Sequence, residues 1–175
     1  IVCLTGMPGS GKSTIVSALK AKGIEALNLG DGVRAEAKRR NLEPSGDNLG
    51  KLMLELREKN GPGAIAELLT EQIKNSQSGV IIIDGVRSTA EIEVLKNVGD
   101  VKLLSIEASA DTRYKFLSSR GRSDDPKTKE KFSERDNREL GVGIGKPIEM
   151  ADETISNSNI TLDELIEQAY KVIEK

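Results

Sequence analysis

The residues best suited to chemistry lie in one short stretch near the start of the chain, GMPGSGKST, at positions 6–14. It fits the pattern G-x-x-x-x-G-K-[ST], in which glycines let successive backbone N–H groups turn inward around a phosphate. Lys12 would reach the β- and γ-phosphates of ATP, and the Ser13 hydroxyl would bind Mg²⁺. The stretch therefore predicts an ATP-binding loop made of Gly6, Met7, Pro8, Gly9, Ser10, Gly11, Lys12, Ser13 and Thr14.

A second candidate lies in VIIIDGVRS, where Asp84 follows an apolar run. Open α/β sheets bind ligands at the carboxyl ends of their strands, so an acid in this place can hold Mg²⁺ directly or through water. Asp84 and Gly85 would also suit an ordinary turn after a strand. Beside a phosphate loop, the magnesium role is the better interpretation of Asp84.

Five short β-type runs must position these residues, and amphipathic helical patterns lie between them. The runs are residues 1–5, 26–29, 80–84, 101–108 and 153–156. Continuous apolar runs such as VIII are typical of strands buried on both faces of a parallel sheet. The alternation predicts a single domain over residues 1–175, an α/β three-layer fold with about five parallel strands and helices on both faces. Two segments interrupt it, a helical insertion at 31–77 and a charged stretch at 120–146.

Two helix starts can be assigned from capping boxes. Ser88 is followed three residues later by Glu91, and Thr161 is followed in the same way by Glu164. In this arrangement the hydroxyl and the carboxylate each satisfy a backbone N–H group that the helix leaves free. We expect helices to begin directly after Ser88 and Thr161.

The composition excludes several classes of function. The sequence has no histidine and one cysteine, which excludes His-based triads, His-ligated metals and an internal disulfide. With a net charge of −2, two tyrosines and two phenylalanines, it offers neither a basic field nor a stacking platform for nucleic acid. No apolar run approaches the length of a membrane span. We expect a cytoplasmic monomer or homodimer without a membrane or nucleic-acid partner.

In their order along the chain, the phosphate loop, the strand before Asp84 and the charged stretch resemble the nucleoside monophosphate kinase branch of P-loop proteins. More closely, nearly the whole chain resembles an archaeal family related to adenylate kinase and to dephospho-coenzyme A kinase. The resemblance implies a P-loop kinase fold that uses ATP and Mg²⁺. It also implies transfer of the γ-phosphate to a small nucleotide acceptor, a nucleoside monophosphate such as AMP, held by the insertion at 31–77.

The resemblance implies acceptor-binding residues in two places. The segment LNLGDGVRAE is similar to a G-D-x-x-R motif whose arginine binds the acceptor phosphate, which here corresponds to Gly30, Asp31 and Arg34. An arginine suits that role because its planar fork can bond two phosphate oxygens at once. The basic run RAEAKRR would equally suit a solvated helix face.

The second place follows Asp84. Gly85 and Arg87 resemble a D-G-x-P-R signature whose arginine holds the acceptor phosphate, although DGVR is one residue shorter and lacks the proline. A surface arginine beside the Ser88 cap is the alternative interpretation of Arg87. Arg57, in the predicted helix that follows the one with Arg34, is a further acceptor candidate.

Asp31 leaves the chemical nature of the acceptor open. In dephospho-coenzyme A kinase an aspartate near this point acts as a base toward a ribose hydroxyl, whereas a phosphate acceptor is already ionised and needs no base. Arg87 favours a phosphate acceptor, while Asp31 is compatible with a hydroxyl. A nucleotide-binding ATPase or regulator without any acceptor is a third interpretation.

The charged stretch contains RGRSDDPKTKEKFSERDNREL, residues 120–140, in which 13 of 21 side chains are charged. In the resemblance it forms a lid that closes over ATP, with Arg120 near the adenine and phosphates. Cations are useful there because the transition state spreads negative charge over the phosphoryl oxygens. Arg122 is the first candidate for that contact, followed by Arg135 and Arg138. A solvated charged surface is the alternative.

The last candidate precedes the final helix. ADETISNSN contains a D-x-x-I-x-N pattern that ends at Asn157. The resemblance implies that the loop at Asn157 packs against the adenine of ATP. A turn followed by the Thr161 cap would explain the same residues.

Overall fold

The computed structural model describes residues 1–174, which form five strands and ten helices. The strands are β1 (Val2–Thr5), β2 (Glu25–Asn28), β3 (Ile81–Asp84), β4 (Lys102–Glu107) and β5 (Glu153–Ser156). The helices are α1 (Lys12–Ala21), α2 (Leu29–Arg39), α3 (Gly46–Asn60), α4 (Ala64–Glu67), α5 (Thr70–Asn75), α6 (Thr89–Lys96), α7 (Ala110–Arg120), α8 (Lys129–Val142), α9 (Gly145–Glu149) and α10 (Leu162–Ile173).

The strands form one parallel sheet in the order β2-β3-β1-β4-β5. β1 lies in the middle, and its register places Leu4 opposite both Asp84 of β3 and Leu104 of β4. The carboxyl ends of β1 and β3 therefore meet beside one another. The chain runs from β1 to one side of the sheet and later crosses to the other, and this switch of direction is where parallel sheets form a binding crevice.

Alternate side chains of the strands enter two separate cores. Cys3 and Ile83 point to the face covered by α2 to α6, whereas Leu4 and Ile82 point to the face covered by α1 and α10. Both layers are apolar because each strand is buried on both of its faces. The three-layer α/β fold predicted from the sequence is confirmed, with every strand within one residue of its predicted bounds.

Both predicted capping boxes are present. The Ser88 hydroxyl accepts from the Glu91 N–H, and the Glu91 carboxylate accepts from the Ser88 N–H. Thr161 and Glu164 make the same exchange at the start of α10. Since Glu91 is completely buried, its carboxylate needs further donors, which becomes important for Arg57 below.

The two interrupting segments are mostly helical. The insertion at 31–77 contains α3 to α5 and nearly all of α2, and Gly61 is the C-cap of α3. In the charged stretch, residues 121–128 connect α7 to α8, and Thr128 caps α8. Phe132 and Glu139 of α8 are buried, so this helix packs on the domain along one face.

Among residues 1–174, no helix combines the length and the apolar character needed to cross a membrane.

Candidate functional site

The phosphate loop connects the end of β1 to the start of α1, as its sequence predicts. Gly6 adopts a left-handed φ of 131°, and a Cβ added to it would lie 2.2 Å from the carbonyl oxygen of Ile106 in β4. A larger residue at position 6 would therefore both strain the backbone and collide with the neighbouring strand. Gly6 lets the loop lie close to the carboxyl end of the neighbouring strand β4. The N-terminus of α1 follows the loop.

Lys12, the first residue of α1, folds over the loop. Its ammonium donates to the carbonyl oxygens of Gly6 at 2.6 Å and Met7 at 3.1 Å, and to the Ser10 hydroxyl at 3.3 Å. Burial lowers the pKa of Lys12 to about 8, although the Asp84 carboxylate opposes that shift. An anion placed in the loop would stabilise the charged form of this side chain.

Asp84 ends β3 beside the phosphate loop and is almost completely buried. One carboxylate oxygen, Oδ2, accepts from the amide of Asn28 at 2.6 Å, whereas Oδ1 has no hydrogen-bond partner among the described residues. A buried carboxylate oxygen without a donor is costly unless a cation or water binds it. Ser13 and Asp84 line the same cavity, so their oxygens fit the ligand preference of Mg²⁺.

We call the space over the phosphate loop the central cavity. Besides loop residues, it is lined by Asn28, Gly30, Arg34, Asp84, Gly85, Arg87, Arg120, Arg122, Arg135, Glu139 and Ile144. A side cavity adjoins it between α2, α3 and α8. That cavity is lined by Gly30, Val33, Arg34, Gly46, Leu49, Gly50, Met53, Arg87, Asp124, Arg135, Arg138 and Glu139.

The two cavities share one wall, formed by Gly30, Arg34, Arg87, Arg135 and Glu139. Four of these five residues are charged and three are arginines. Groups bound in the two cavities would therefore meet at a surface that is rich in fixed N–H donors. The three arginines of this wall are among the site residues that the sequence predicted.

Arg87 and Glu139 form a buried ion pair within the shared wall. Arg87 Nε donates to Glu139 Oε2 at 2.5 Å, and its NH1 donates to the Gly85 carbonyl at 2.9 Å. Burial alone would lower the pKa of Arg87, but the neighbouring Glu139 and Glu91 carboxylates outweigh it and raise that pKa. Burial likewise opposes ionisation of Glu139, but Arg87 and Arg135 hold its pKa below the usual range.

Asp124 joins the insertion to the charged stretch. Its Oδ2 accepts from Arg34 of α2 and from Arg135 of α8, each at 3.3 Å. Burial opposes the ionised form of Asp124, but these two arginines lower its pKa. The acceptor candidate Arg34 and the lid candidate Arg135 are thus linked by one carboxylate.

The other arginines of the charged stretch differ in their contacts. Arg120 forms a bidentate ion pair with Asp125. The Asp125 carboxylate also accepts a hydrogen bond from the backbone N–H of Arg122. The Arg122 side chain lines the central cavity and makes no hydrogen bond or ion pair with the described residues. Arg138 lines the side cavity, where its guanidinium packs against Gly50.

Besides Met7, Ser10 and Thr14 of the phosphate loop, three predicted site residues lie outside both cavities. Arg57 donates to Glu91 at 2.5 Å, because this fully buried carboxylate needs a cation. Asp31 pairs with Arg34 at 2.8 Å, and its side chain is 73% exposed. The Asn157 amide donates to the Ser10 carbonyl at 2.9 Å, so it supports the phosphate loop from beneath.

The chain matches a family model described as an AAA domain over residues 5–133. It is also similar to UPF0200 proteins of two archaea. The one from Hyperthermus butylicus is 38% identical over 175 residues, covering all of this chain and 94% of the relative. The one from Pyrococcus abyssi is 40% identical over 164 residues, covering 91% of this chain and 88% of the relative.

Among solved structures, the chain resembles shikimate kinase from Bacteroides thetaiotaomicron. The TM-score is 0.63 at 14% identity, and the match covers 99% of this chain and 98% of that one. At this identity the likeness concerns the fold alone. It confirms the P-loop kinase fold that the sequence motifs predicted.

Proposed function

Since the chain belongs to the UPF0200 family and to the AAA-domain family, and has a P-loop kinase fold, we propose that it is a phosphotransferase that uses ATP and Mg²⁺. In this proposal ATP binds the phosphate loop and the acceptor binds the side cavity. The acceptor is a small nucleotide that already carries a phosphate, a nucleoside monophosphate such as AMP. The proposed setting is cytoplasmic, and the protein would act as a monomer or homodimer.

The shared wall is the observation that carries this proposal. Arg34, Arg87 and Arg135 face both cavities, so an acceptor phosphate on one side and the γ-phosphate on the other would meet there. Two phosphates brought together repel each other, and fixed guanidinium groups offset that repulsion without having to reorient. Positioning and charge stabilisation of this kind are the main contributions of a protein to phosphoryl transfer.

The charge of the two cavities supports an anionic acceptor. Their lining contains seven basic side chains and three carboxylates, and two of the cations are paired from outside, Arg120 with Asp125 and Arg34 with Asp31. Two positive charges remain in excess. This excess favours anionic ligands, and a phosphate monoester, with a charge of about −1.5 to −2, is such a ligand.

In the proposed reaction, an ionised oxygen of the acceptor phosphate forms a bond to the γ-phosphorus of ATP. The bond between that phosphorus and the oxygen bridging to the β-phosphate breaks, and ADP leaves. Lys12 would hold the β- and γ-phosphates, and Arg122 would approach the transferring group from the charged stretch. Ser13 and Asp84 would hold Mg²⁺, which would neutralise charge on the phosphate oxygens.

A hydroxyl acceptor is the second candidate, since the chain has the fold of a shikimate kinase and resembles dephospho-coenzyme A kinase. Such an acceptor needs a base, and Asp31 was the candidate from sequence. The position of Asp31 outside both cavities disfavours that role. Glu139 does line them, but its lowered pKa makes it a weak proton acceptor.

The test is transfer of the labelled γ-phosphate of ATP to AMP, CMP, UMP, dTMP and dephospho-coenzyme A, with Lys12→Met as the inactive control. We expect a nucleoside diphosphate to form from at least one monophosphate, and we expect Asp31→Asn to retain that activity. Transfer to dephospho-coenzyme A that Asp31→Asn abolishes would support the hydroxyl acceptor instead. Tight ATP binding without transfer to any acceptor would support a regulator or weak ATPase and overturn the proposal.

A further inference from the structure

Arg113 is a buried cation that the proposed reaction does not use. It lies on α7, is 6% exposed, and lines neither the central cavity nor the side cavity. Its NH1 donates to the Pro8 carbonyl of the phosphate loop at 3.1 Å and to Asp136 Oδ1 at 2.9 Å. Its NH2 donates to Asp136 Oδ2 at 2.7 Å. One guanidinium thus connects the phosphate loop to a carboxylate of α8.

Arg113 and its neighbours on α7 are closely packed against both the phosphate loop and α8. A Cβ added to Gly9 would lie 2.7 Å from the Arg113 carbonyl oxygen, so the phosphate loop rests directly on the α7 backbone. On the α8 side, the Arg113 guanidinium carbon lies 4.9 Å from the centre of the Phe132 ring. The Phe132 ring in turn packs edge-to-face on Tyr114 of α7. Movement of the loop relative to α8 would disturb all these contacts.

Helix α8 is also the element that brings cations to the shared wall. Arg135 directly precedes Asp136, and Glu139 follows it by less than one turn. Both of these neighbours line the two cavities, whereas Asp136 is turned toward Arg113. Because Arg135 and Asp136 are adjacent on α8, the Arg113–Asp136 pair helps to hold Arg135 near the phosphate loop, together with the contacts between Arg135 and Asp124.

We propose that Arg113 and Asp136 are positioning residues that couple the phosphate loop to α8. Occupation of the loop by a triphosphate fixes the Pro8 peptide, and the Arg113–Asp136 pair transmits that restraint to the helix carrying Arg135. The role in catalysis rests on the proposed function, but the coupling itself requires only that ATP binds the loop. The coupling predicts that, without the Arg113–Asp136 pair, ATP still binds but no longer orders α8.

The test compares Asp136→Asn with Glu134→Gln in the full chain. Asp136→Asn removes the charge and weakens the pair, while Arg113 keeps its bond to Pro8. Glu134→Gln makes the same change on the exposed face of α8, where Glu134 pairs with Lys131. Amide hydrogen exchange of residues 129–142 is measured with and without ATP, together with the Kd for ATP and the kcat for transfer.

In the unmodified chain and in Glu134→Gln, we expect ATP to slow exchange in both the loop and α8. In Asp136→Asn, we expect the Kd to stay within about twofold, protection of α8 to disappear, and kcat to fall by about tenfold or more. Asp136→Glu keeps the carboxylate and should restore part of both effects. It also serves as the test variant if Asp136→Asn does not fold.

ATP-dependent protection of α8 that persists in Asp136→Asn would overturn the coupling. So would a loss of kcat that matches only the fraction of unfolded protein, because that result describes a merely structural pair. If the unmodified chain binds ATP but transfers nothing, the proposed function fails while the exchange experiment still decides the coupling. If ATP does not protect α8 in the unmodified chain, the coupling fails, while the transfer assay still decides the proposed function.

Discussion

The phosphate loop and the charged stretch at 120–140 present cations to the same cavity, but they are built differently. The loop is held by its own backbone, with the Lys12 ammonium bonded to the Gly6 and Met7 carbonyls a few residues away. The charged stretch is held by side chains that meet across the fold. Arg34 reaches Asp124 across 90 positions of the sequence, and Arg87 reaches Glu139 across 52.

This difference has an energetic consequence. Removing a cation from the loop leaves carbonyl groups that a nearby water can satisfy. Removing a cation from the charged network leaves a buried carboxylate without its partner, which typically costs about 3–5 kcal/mol of stability. Substitutions in the loop should therefore affect function more than folding, whereas substitutions in the network should affect both.

The largest expected effect is that of Lys12→Met. We expect γ-phosphate transfer to fall by about 10²–10³-fold or more, because the ammonium holds charge that develops on the phosphates. The midpoint of thermal unfolding should stay within a few degrees, since burial already disfavours the charged form of the ammonium that is replaced. Parallel transfer assays and thermal unfolding check this. A large loss of stability would show that the loop depends on its cation as the charged network does.

Arg34→Ala should have the next largest effect. Loss of charge-assisted hydrogen bonds of about 1.5–3 kcal/mol corresponds to a decrease of roughly 10–100-fold in kcat/KM for the acceptor. The matched control is Arg39→Ala on the same helix, where the arginine is 72% exposed and pairs with Glu36. Steady-state kinetics with varied acceptor measure both variants. Equal losses in the two would exclude a specific acceptor contact for Arg34.

Arg122→Ala and Arg135→Ala should separate function from stability within the charged stretch. We expect Arg122→Ala to lower kcat by about tenfold with an unchanged thermal midpoint, because its side chain is exposed and forms no ion pair with the described residues. Arg135→Ala should also lower the midpoint by several degrees, because Asp124 loses a buried partner. Similar midpoints for both variants would contradict this division.

The affinity for ATP should depend on pH through Lys12. Burial lowers the pKa of its ammonium to about 8 in the free protein, and bound phosphates would raise that pKa again. As the pH rises through 8, the free protein loses a proton that the complex retains, so binding should weaken by up to about tenfold per pH unit. Calorimetric titration between pH 7 and 9.5 measures this trend. The trend should be absent in Lys12→Met.

The smallest expected effect is that of Gly50→Ala in the side cavity. The added Cβ would lie 2.5 Å from the Arg138 guanidinium, whose flexible end can move away without disturbing the fold. We expect KM for the acceptor to rise by about two- to fivefold. Gly141→Ala on α8 is the control, because its added Cβ would meet nothing within 4 Å beyond its chain neighbours and the nearby backbone of α8. Unchanged kinetics in Gly50→Ala would place Arg138 outside acceptor binding.

Much of the scaffold could be predicted from local patterns. The five strands, both capping boxes and the phosphate loop depend on residues a few positions apart, and their expected bounds are nearly those observed. Arg57 shows where such reasoning is insufficient. Nothing near Arg57 in the sequence indicates that a buried Glu91, 34 positions away, requires its charge. The structure pairs Arg57 with that carboxylate, a contact that local patterns could not predict.

The sequence by itself determined the position of the nucleotide loop, because the conformation of a glycine-rich turn between a strand and a helix is set by its own residues. It also determined the layered sheet, because apolar periodicity specifies which faces are buried. Only the tertiary structure decided which cations face a cavity. That choice depends on where buried carboxylates such as those of Asp124 and Glu139 lie, since each of them must be matched by an arginine from a distant part of the chain.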